Sequence, residues 1–262
     1  MAAADRGRGG AAGSAGRSNV DGRGAAAARG LSAPVAATIG GVMSPTPPIG
    51  RLLSVNVAKM RLIVLNGEPT KTGIYKYPVE GRVMVADNQV GTDRQADYEV
   101  HGGYDKAVYA YADEDYRRWA EELGQQMQPG LFGENLTTAG IDVTGALIGE
   151  RWRIGEALLE VSEPRQPCSK FSHKMGDPGF LKRFAKALRP GAYLRIIEEG
   201  EIGAGDSIEV TSRPKHEATI ELMSRVAVGE RDPIPQLLAA EALSAQWRRW
   251  AEGRLPDDGE PS

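Results

Sequence analysis

Cysteine and histidine are nearly absent from this sequence: one Cys and three His in 262 residues. A lone cysteine excludes an internal disulfide, and with so few histidines beside it a structural thiolate zinc site is not expected. Long apolar runs are missing as well. No segment approaches the roughly 18 to 20 apolar residues that a membrane-spanning helix requires, which excludes insertion by a helix. Nor is there an excess of either charge: 32 basic against 35 acidic residues give a formal charge of -3, with a pI near 5.8. The molecule as a whole would attract neither nucleic acid nor an anionic membrane surface, so any basic site must be local. A soluble cytoplasmic protein is the expected class.

Aromatic residues do not occur in the first 50 positions. That stretch is dominated by Ala, Gly, Ser, Pro and Arg without a sustained apolar period, so residues 1–50 are read as a disordered tail that cannot bury enough surface to order itself. Its five arginines against Asp5 and Asp21 leave it at +3. A solvated extension is the simplest reading, with nucleic-acid binding or targeting as the alternative. Residues 31–43 are interrupted by Pro34 and two glycines, which is not the compact apolar core of a signal peptide.

What is present from residue 51 onward is a series of short β-prone segments, 53–57, 73–77, 83–86, 107–111, 151–154, 158–162, 192–197 and 207–211, mostly separated by Gly, Pro, Asn or Asp. Short strands at irregular spacing predict a mainly β domain over 51–212, barrel-like or strongly bent, with helices inserted. One helix is predicted over 113–123, with Tyr116, Trp119 and Leu123 on one face and acids in the first turn. A second starts with Asp177 as N-cap and Pro178 at N1, and packs through Phe180, Leu181, Phe184 and Leu188. Residues 213–262 read as a three-helix appendage, with helices over 217–226, 234–242 and 244–251. Trp247 and Trp250 in the last of these either pack against neighbouring helices or dock a partner.

Three constellations carry chemistry. The first is Glu163-Pro164-Arg165-Gln166-Pro167-Cys168-Ser169-Lys170, where two prolines impose an extended loop directly after a strand ending near Val161. Arg165 and Lys170 bracket Cys168 with positive charge, the setting in which a cysteine serves as thiolate nucleophile or soft metal ligand rather than as a small buried hydrophobe. The second runs from Asp93-Arg94-Gln95-Ala96-Asp97 into His101-Gly102-Gly103-Tyr104-Asp105-Lys106. Two glycines let backbone N–H groups approach an anion, with Arg94, His101 and Lys106 as charge-assisted donors, unless the pair is simply a hairpin turn. The third is Gly130-Leu131-Phe132-Gly133-Glu134-Asn135-Leu136-Thr137-Thr138, in which Asn135 either meets a ligand or satisfies backbone.

Taken in order, His101-Gly102-Gly103-x-Asp105-Lys106-Ala107, Phe132-Gly133-Glu134-Asn135-Leu136, Ile154-Gly155-Glu156-Ala157 and Pro164-Arg165-Gln166-Pro167-Cys168 resemble the MOSC family, named for the C-terminal domain of molybdenum cofactor sulfurases. The likeness covers roughly residues 52–210. The helical tail is similar to that of the stand-alone bacterial YiiM-like subgroup, from which the chain departs at Tyr104, where that subgroup usually carries proline.

The resemblance implies a β-barrel-like domain that binds the molybdenum cofactor. It makes Cys168 the catalytic residue and the protein's donor to the metal. Arg94, His101, Gly102, Gly103, Lys106, Asn135 and Arg165 become candidates for the cofactor's phosphate and pterin. The implied activity is reduction of an N-hydroxylated small molecule such as an N-hydroxylaminopurine. With one cysteine no Cys-ligated iron–sulfur cluster can form, and no flavin or haem motif is present, so the electrons would come from a separate donor protein. Two other readings remain open: a sulfur carrier in which Cys168 bears a persulfide, and a non-catalytic cofactor-binding module. Pyridoxal phosphate, which the sulfurases bind through a separate desulfurase domain, is not supported by these residues.

Overall fold

The computed structural model describes residues 49–93 and 103–255. The expectations for the first 48 residues, and for Arg94, His101 and Gly102, lie outside them. The strands are β1 (Ile49–Ala58), β2 (Arg61–Leu65), β3 (Glu68–Thr72), β4 (Lys76–Pro78), β5 (Arg82–Ala86), β6 (Gln89–Val90), β7 (Val108–Ala112), β8 (Leu136–Ala139), β9 (Arg151–Ile154), β10 (Ala157–Pro164), β11 (Ala192–Glu198), β12 (Gly200–Gly203) and β13 (Ser207–Ser212). The helices are α1 (Asp113–Leu123), α2 (Ser169–Met175), α3 (Phe180–Lys186), α4 (Ile220–Ala227), α5 (Ile234–Leu238) and α6 (Ala245–Glu252).

The main sheet runs β13-β9-β10-β11-β7-β8-β1-β4, and β13 also pairs with β1. That additional pairing closes the sheet into a barrel and removes the free edges that an open sheet would expose. The pairs in this sheet are antiparallel except β7 with β8. Strand β7 shows how the sequence builds two cores at once. Its Val108, Ala110 and Ala112 point into the barrel interior, while Tyr109 and Tyr111 point outward into a second, aromatic cluster with Tyr116, Trp119, Phe132, Phe171, Phe180 and Phe184. The two-residue period of a strand puts alternate side chains on opposite faces, so five consecutive buried residues need cover on both sides. The cover outside β7 includes α1, α2 and α3. Their aromatic rings pack at centroid separations of 4.8 to 6.2 Å in mostly edge-to-face arrangements, each contributing packing energy beyond the area it buries.

The C-terminal helices complete the first core: Ile220, Met223, Val226, Ile234 and Leu237 are buried with Trp152, Leu159 and Val161 of the barrel. Trp247 and Trp250 pack against that same core. Arg195 of β11 staples the layers together, with Nε donating to Asp105 at 2.7 Å, Nη1 to Glu160 at 2.8 Å and Nη2 to the carbonyl of Ala242 at 2.7 Å.

Three local expectations need correction. Strand β10 continues to Pro164, which can sit at a strand end because it needs no amide donor there. The backbone does not stay extended past Cys168 but enters α2 at once. The next helix begins at Phe180, later than expected, although Asp177 Oδ1 does accept the amide of Gly179 at 2.7 Å, the kind of bond expected of a cap.

Candidate functional site

Strand β10 carries the chain from the barrel interior to the site. Pro164 ends its pairing against Ala192, Arg165 turns inward, and Pro167 holds the backbone extended into Cys168, whose φ of -137° and ψ of 165° are those of a helix N-cap. The carbonyl of Cys168 accepts from the amides of Phe171 and Ser172 at 2.9 and 3.2 Å, while its side chain makes no capping bond. Among the described residues Sγ is therefore left free of structural duty. The thiol is half-buried against the aromatic cluster.

Arg165 is the defining neighbour. It is only 5% exposed. Its guanidinium lies 4.0 Å from the centroid of the Phe171 ring and 5.7 Å from those of Tyr109 and Phe184. The hydrogen bond it makes is a long one, from Nη1 to the carbonyl of Gln166 at 3.4 Å, and among the described residues no carboxylate lies within 4 Å of it. A guanidinium is always charged and carries five donors. Burying one without an anion costs on the order of several kcal/mol, a cost that an anion beside it would offset. Tyr193 completes this side. Burial pushes its phenol up to about 12, against the pull of Arg165 and with Cys168 adding to the rise, so at neutral pH it presents an O–H.

A buried polar network supports the opposite wall. Asp93, 3% exposed, accepts from the amide of Ala58 at 3.0 Å, from Nδ2 of Asn135 at 2.8 Å and from the ammonium of Lys76. Asn135 also accepts from the amide of Tyr109 at 3.2 Å and donates to the carbonyl of Asn56 at 3.3 Å. Its amide is thus engaged within the protein, and what the geometry supports for Asn135 is positioning: it fixes Asp93, the residue from which the Arg94-to-His101 segment departs. Glu134 beside it accepts from Tyr116 Oη at 2.7 Å, Thr137 Oγ1 at 2.9 Å and the amide of Gly130 at 2.5 Å, and burial raises its carboxyl. Gly130 is required at this turn. Its φ is +83°, and a Cβ there would lie 2.4 Å from the carbonyl oxygen of Lys76.

Lys106 stands on a third side, in the short 3-10 turn Tyr104–Lys106 that follows Gly103, whose φ of 87° is left-handed. Its ammonium lies 3.4 Å from Oε1 of Glu163. Since Glu163 precedes Arg165 by two residues, the glycine motif and the cysteine loop meet through this pair. Of the residues singled out by sequence, Arg165 and Cys168 are brought together and Lys106 is tied to their strand. Asp93, Glu163, Lys174 and Tyr193 were missed. Lys174 sits in α2, a helix not anticipated; Tyr193 arrives through the pairing of β11 with β10, Asp93 through its bonds to Ala58, Lys76 and Asn135, and the partnership of Glu163 with Lys106 is tertiary.

The MOSC domain profile matches residues 97–209. The uncharacterized protein YflK of Bacillus subtilis is 35% identical over 200 residues, covering 75% of this chain and 90% of its own length. The chain belongs to the MOSC domain family. Within it the likeness is to the YiiM-like subgroup: the crystal structure of YiiM from Geobacillus stearothermophilus superposes with a TM-score of 0.66 at 32% identity, covering 79% of this chain and 99% of that one. A protein of Gibberella moniliformis described as a reductase is 35% identical over 175 residues, which is 65% of this chain and 31% of that protein. In this MOSC protein no helix among the described residues is long and apolar enough to cross a membrane.

Proposed function

We propose that this MOSC protein binds the molybdenum cofactor and acts as a cytoplasmic oxidoreductase that reduces N-hydroxylated compounds such as N-hydroxylaminopurines. The observation that carries the reading is the pairing of an uncommitted, half-buried Cys168 thiol with the nine-tenths-buried, carboxylate-free Arg165. These residues fit an anionic group that also accepts one thiolate. Among the described residues no cluster of three or more His, Cys, Asp or Glu is placed to hold a metal ion; the cofactor's own dithiolene would hold the molybdenum. The likeness to YiiM and to a protein described as a reductase supports the same chemistry.

When bound, the cofactor would supply the two-electron chemistry that breaks the N–O bond, turning R–NHOH, two electrons and two protons into R–NH2 and water. The protein's part follows from its residues. Cys168 would provide Sγ as the single protein donor. Arg165 and Lys106, with Arg94 and His101, would neutralise phosphate and pterin. The Tyr193 hydroxyl, neutral at physiological pH and near enough to feel the charges of Arg165 and Cys168, would donate a hydrogen bond to an oxygen leaving the substrate. The electrons would arrive from a separate donor protein. The test is expression in a host competent for molybdenum cofactor synthesis, followed by metal analysis and assay against an N-hydroxylated base. Stoichiometric molybdenum with turnover is expected. Cyanide-labile sulfur on Cys168 without reductase activity would replace this reading with the sulfur carrier.

A further inference from the structure

Beyond the cysteine loop, three cations of decreasing exposure act on one another: Arg61 on β2, exposed; Lys174 on α2, half-buried; and Arg165, buried. Among the described residues none of the three has a carboxylate within 4 Å. Arg61 lies 4.1 Å from the centroid of the Tyr75 ring and donates from Nη2 to Tyr77 Oη at 2.6 Å. Lys174 sits 5.2 Å from that same Tyr75 ring. It donates to the carbonyls of Ile74 and Gly130, both at 2.8 Å, which leaves one of its three N–H bonds unassigned.

The charges facing Lys174 have been placed by four separate segments of the chain. Glu134, from the loop before β8, favours its ammonium; Arg165, Lys76 on β4 and Arg61 on β2 oppose it. Of these, Lys76 is neutralised by Asp93, and Glu134 is fully occupied by Tyr116, Thr137 and Gly130. Burial is the largest effect, and with the neighbouring cations it pulls Lys174 down to about 7. Two cations held on one tyrosine ring, beside a third and without an acid between them, repel one another unless an anion enters.

We propose that Arg61 and Lys174 form an oxyanion subsite, distinct from the residues of the sequence motifs, that takes a phosphate-class group at the mouth of the cysteine site. Two sources share that chemistry: the phosphate of the cofactor, or a phosphate on the substrate, in which case the preferred substrate is an N-hydroxylated nucleotide rather than the free base. Assigning the anion to one of these rests on the molybdenum-cofactor reading. The existence of the subsite does not.

The first measurement is sulfate binding to the cofactor-free full-length chain by calorimetry at constant ionic strength. Sulfate keeps its charge across the range used, so any pH dependence belongs to the protein. Wild type should bind roughly tenfold more weakly at pH 8.5 than at pH 6, as Lys174 loses its proton. Arg61→Gln, at an exposed position where the fold is not at stake, and Lys174→Gln should each weaken binding about tenfold at pH 6. Lys174→Arg should restore binding and flatten the pH dependence. The second measurement uses the loaded protein. Loss of retained cofactor in both Gln variants assigns the anion to the cofactor, whereas unchanged cofactor with a raised KM for the nucleotide but not for the base assigns it to the substrate. Gln variants that bind sulfate as wild type does, or that lose sulfate and alter neither cofactor content nor KM, overturn the proposal. Failure of the molybdenum reading alone would leave the sulfate result intact.

Discussion

Glu163 holds the ammonium of Lys106 at 3.4 Å through Oε1, and the side chain of Trp247 in α6 lies near enough to favour its charged form. One buried carboxylate thus joins the glycine motif, the strand leading to Cys168 and the C-terminal helices. Burial raises its carboxyl, and Lys106 opposes that rise. Glu163→Gln should leave Lys106 less firmly placed and reduce cofactor retention about tenfold, as loss of a supporting hydrogen bond does at other metal sites. Trp247→Phe should have a smaller effect in the same direction. Metal content against melting temperature checks both: a loss of stability with unchanged cofactor would confine the pair to a packing role.

Cys168→Ala deletes one half-buried sulfur and should cost no more than about 1 kcal/mol of stability. Turnover of N-hydroxylated bases should fall below detection, and the metal's spectroscopic signature should change even where Arg165 retains some cofactor. Cys168→Ser with near-normal turnover would remove the cysteine from the chemistry.

Among the described residues Arg165 is buried with no carboxylate in ion-pair distance, so neutralising it relieves a cost in the cofactor-free protein. Arg165→Met should therefore leave the cofactor-free protein as stable as wild type or more stable by up to a few kcal/mol, on the order of the penalty removed, while most of the retained molybdenum is lost. Lys106→Ala should also lower cofactor content. Full molybdenum in both variants would withdraw the anion-binding assignments and leave the family membership untouched.

Asp115 provides a pH test remote from the cysteine. Burial raises its carboxyl to about 6, with Arg189 and Arg118 opposing and Glu114 and Asp142 adding to the rise. Its folded value therefore lies above the unfolded value of about 3.9. The folded state binds the proton more tightly between those two values, so stability is lost as pH rises from about 4 to about 6. Relative to Asp115→Asn, wild type should lose on the order of 2 kcal/mol across that window, measured by urea unfolding at pH 4 and pH 7. A constant difference at both values would contradict the assignment.

Much of the site was legible in sequence because its cues are local. Pro164 and Pro167 stiffen the loop before Cys168, and the acidic first turn and apolar spacing of residues 113–123 specify α1 with the bounds observed. The Trp247 and Trp250 pair was correctly readable as packing. Other local cues were present but weak. Asn66 and Gly67, with φ of 52° and 86°, make the turn of the β2–β3 hairpin, as Asn-Gly commonly does, yet the second strand, Glu68–Thr72, is too polar to advertise itself. The seven residues of α2 are too few to show a helical period, and the prolines before it suggested continued extension.

Sequence alone determined that one cysteine stands on a proline-stiffened basic loop, that the chain is mainly strand until about residue 212, and that short helices follow. Tertiary structure alone decided which charges surround that cysteine. Alternation tells which face of a strand is apolar, but not which strand lies beside it. Only the tertiary fold puts Glu163 against Lys106 and sets Arg165 among aromatic rings with, among the described residues, no acid in ion-pair distance. Only the meeting of a hairpin, two loops and a short helix sets Lys174 between two backbone carbonyls beside Arg61. Electrostatics act through space, across segments far apart in the chain, and no local pattern encodes which of them will meet.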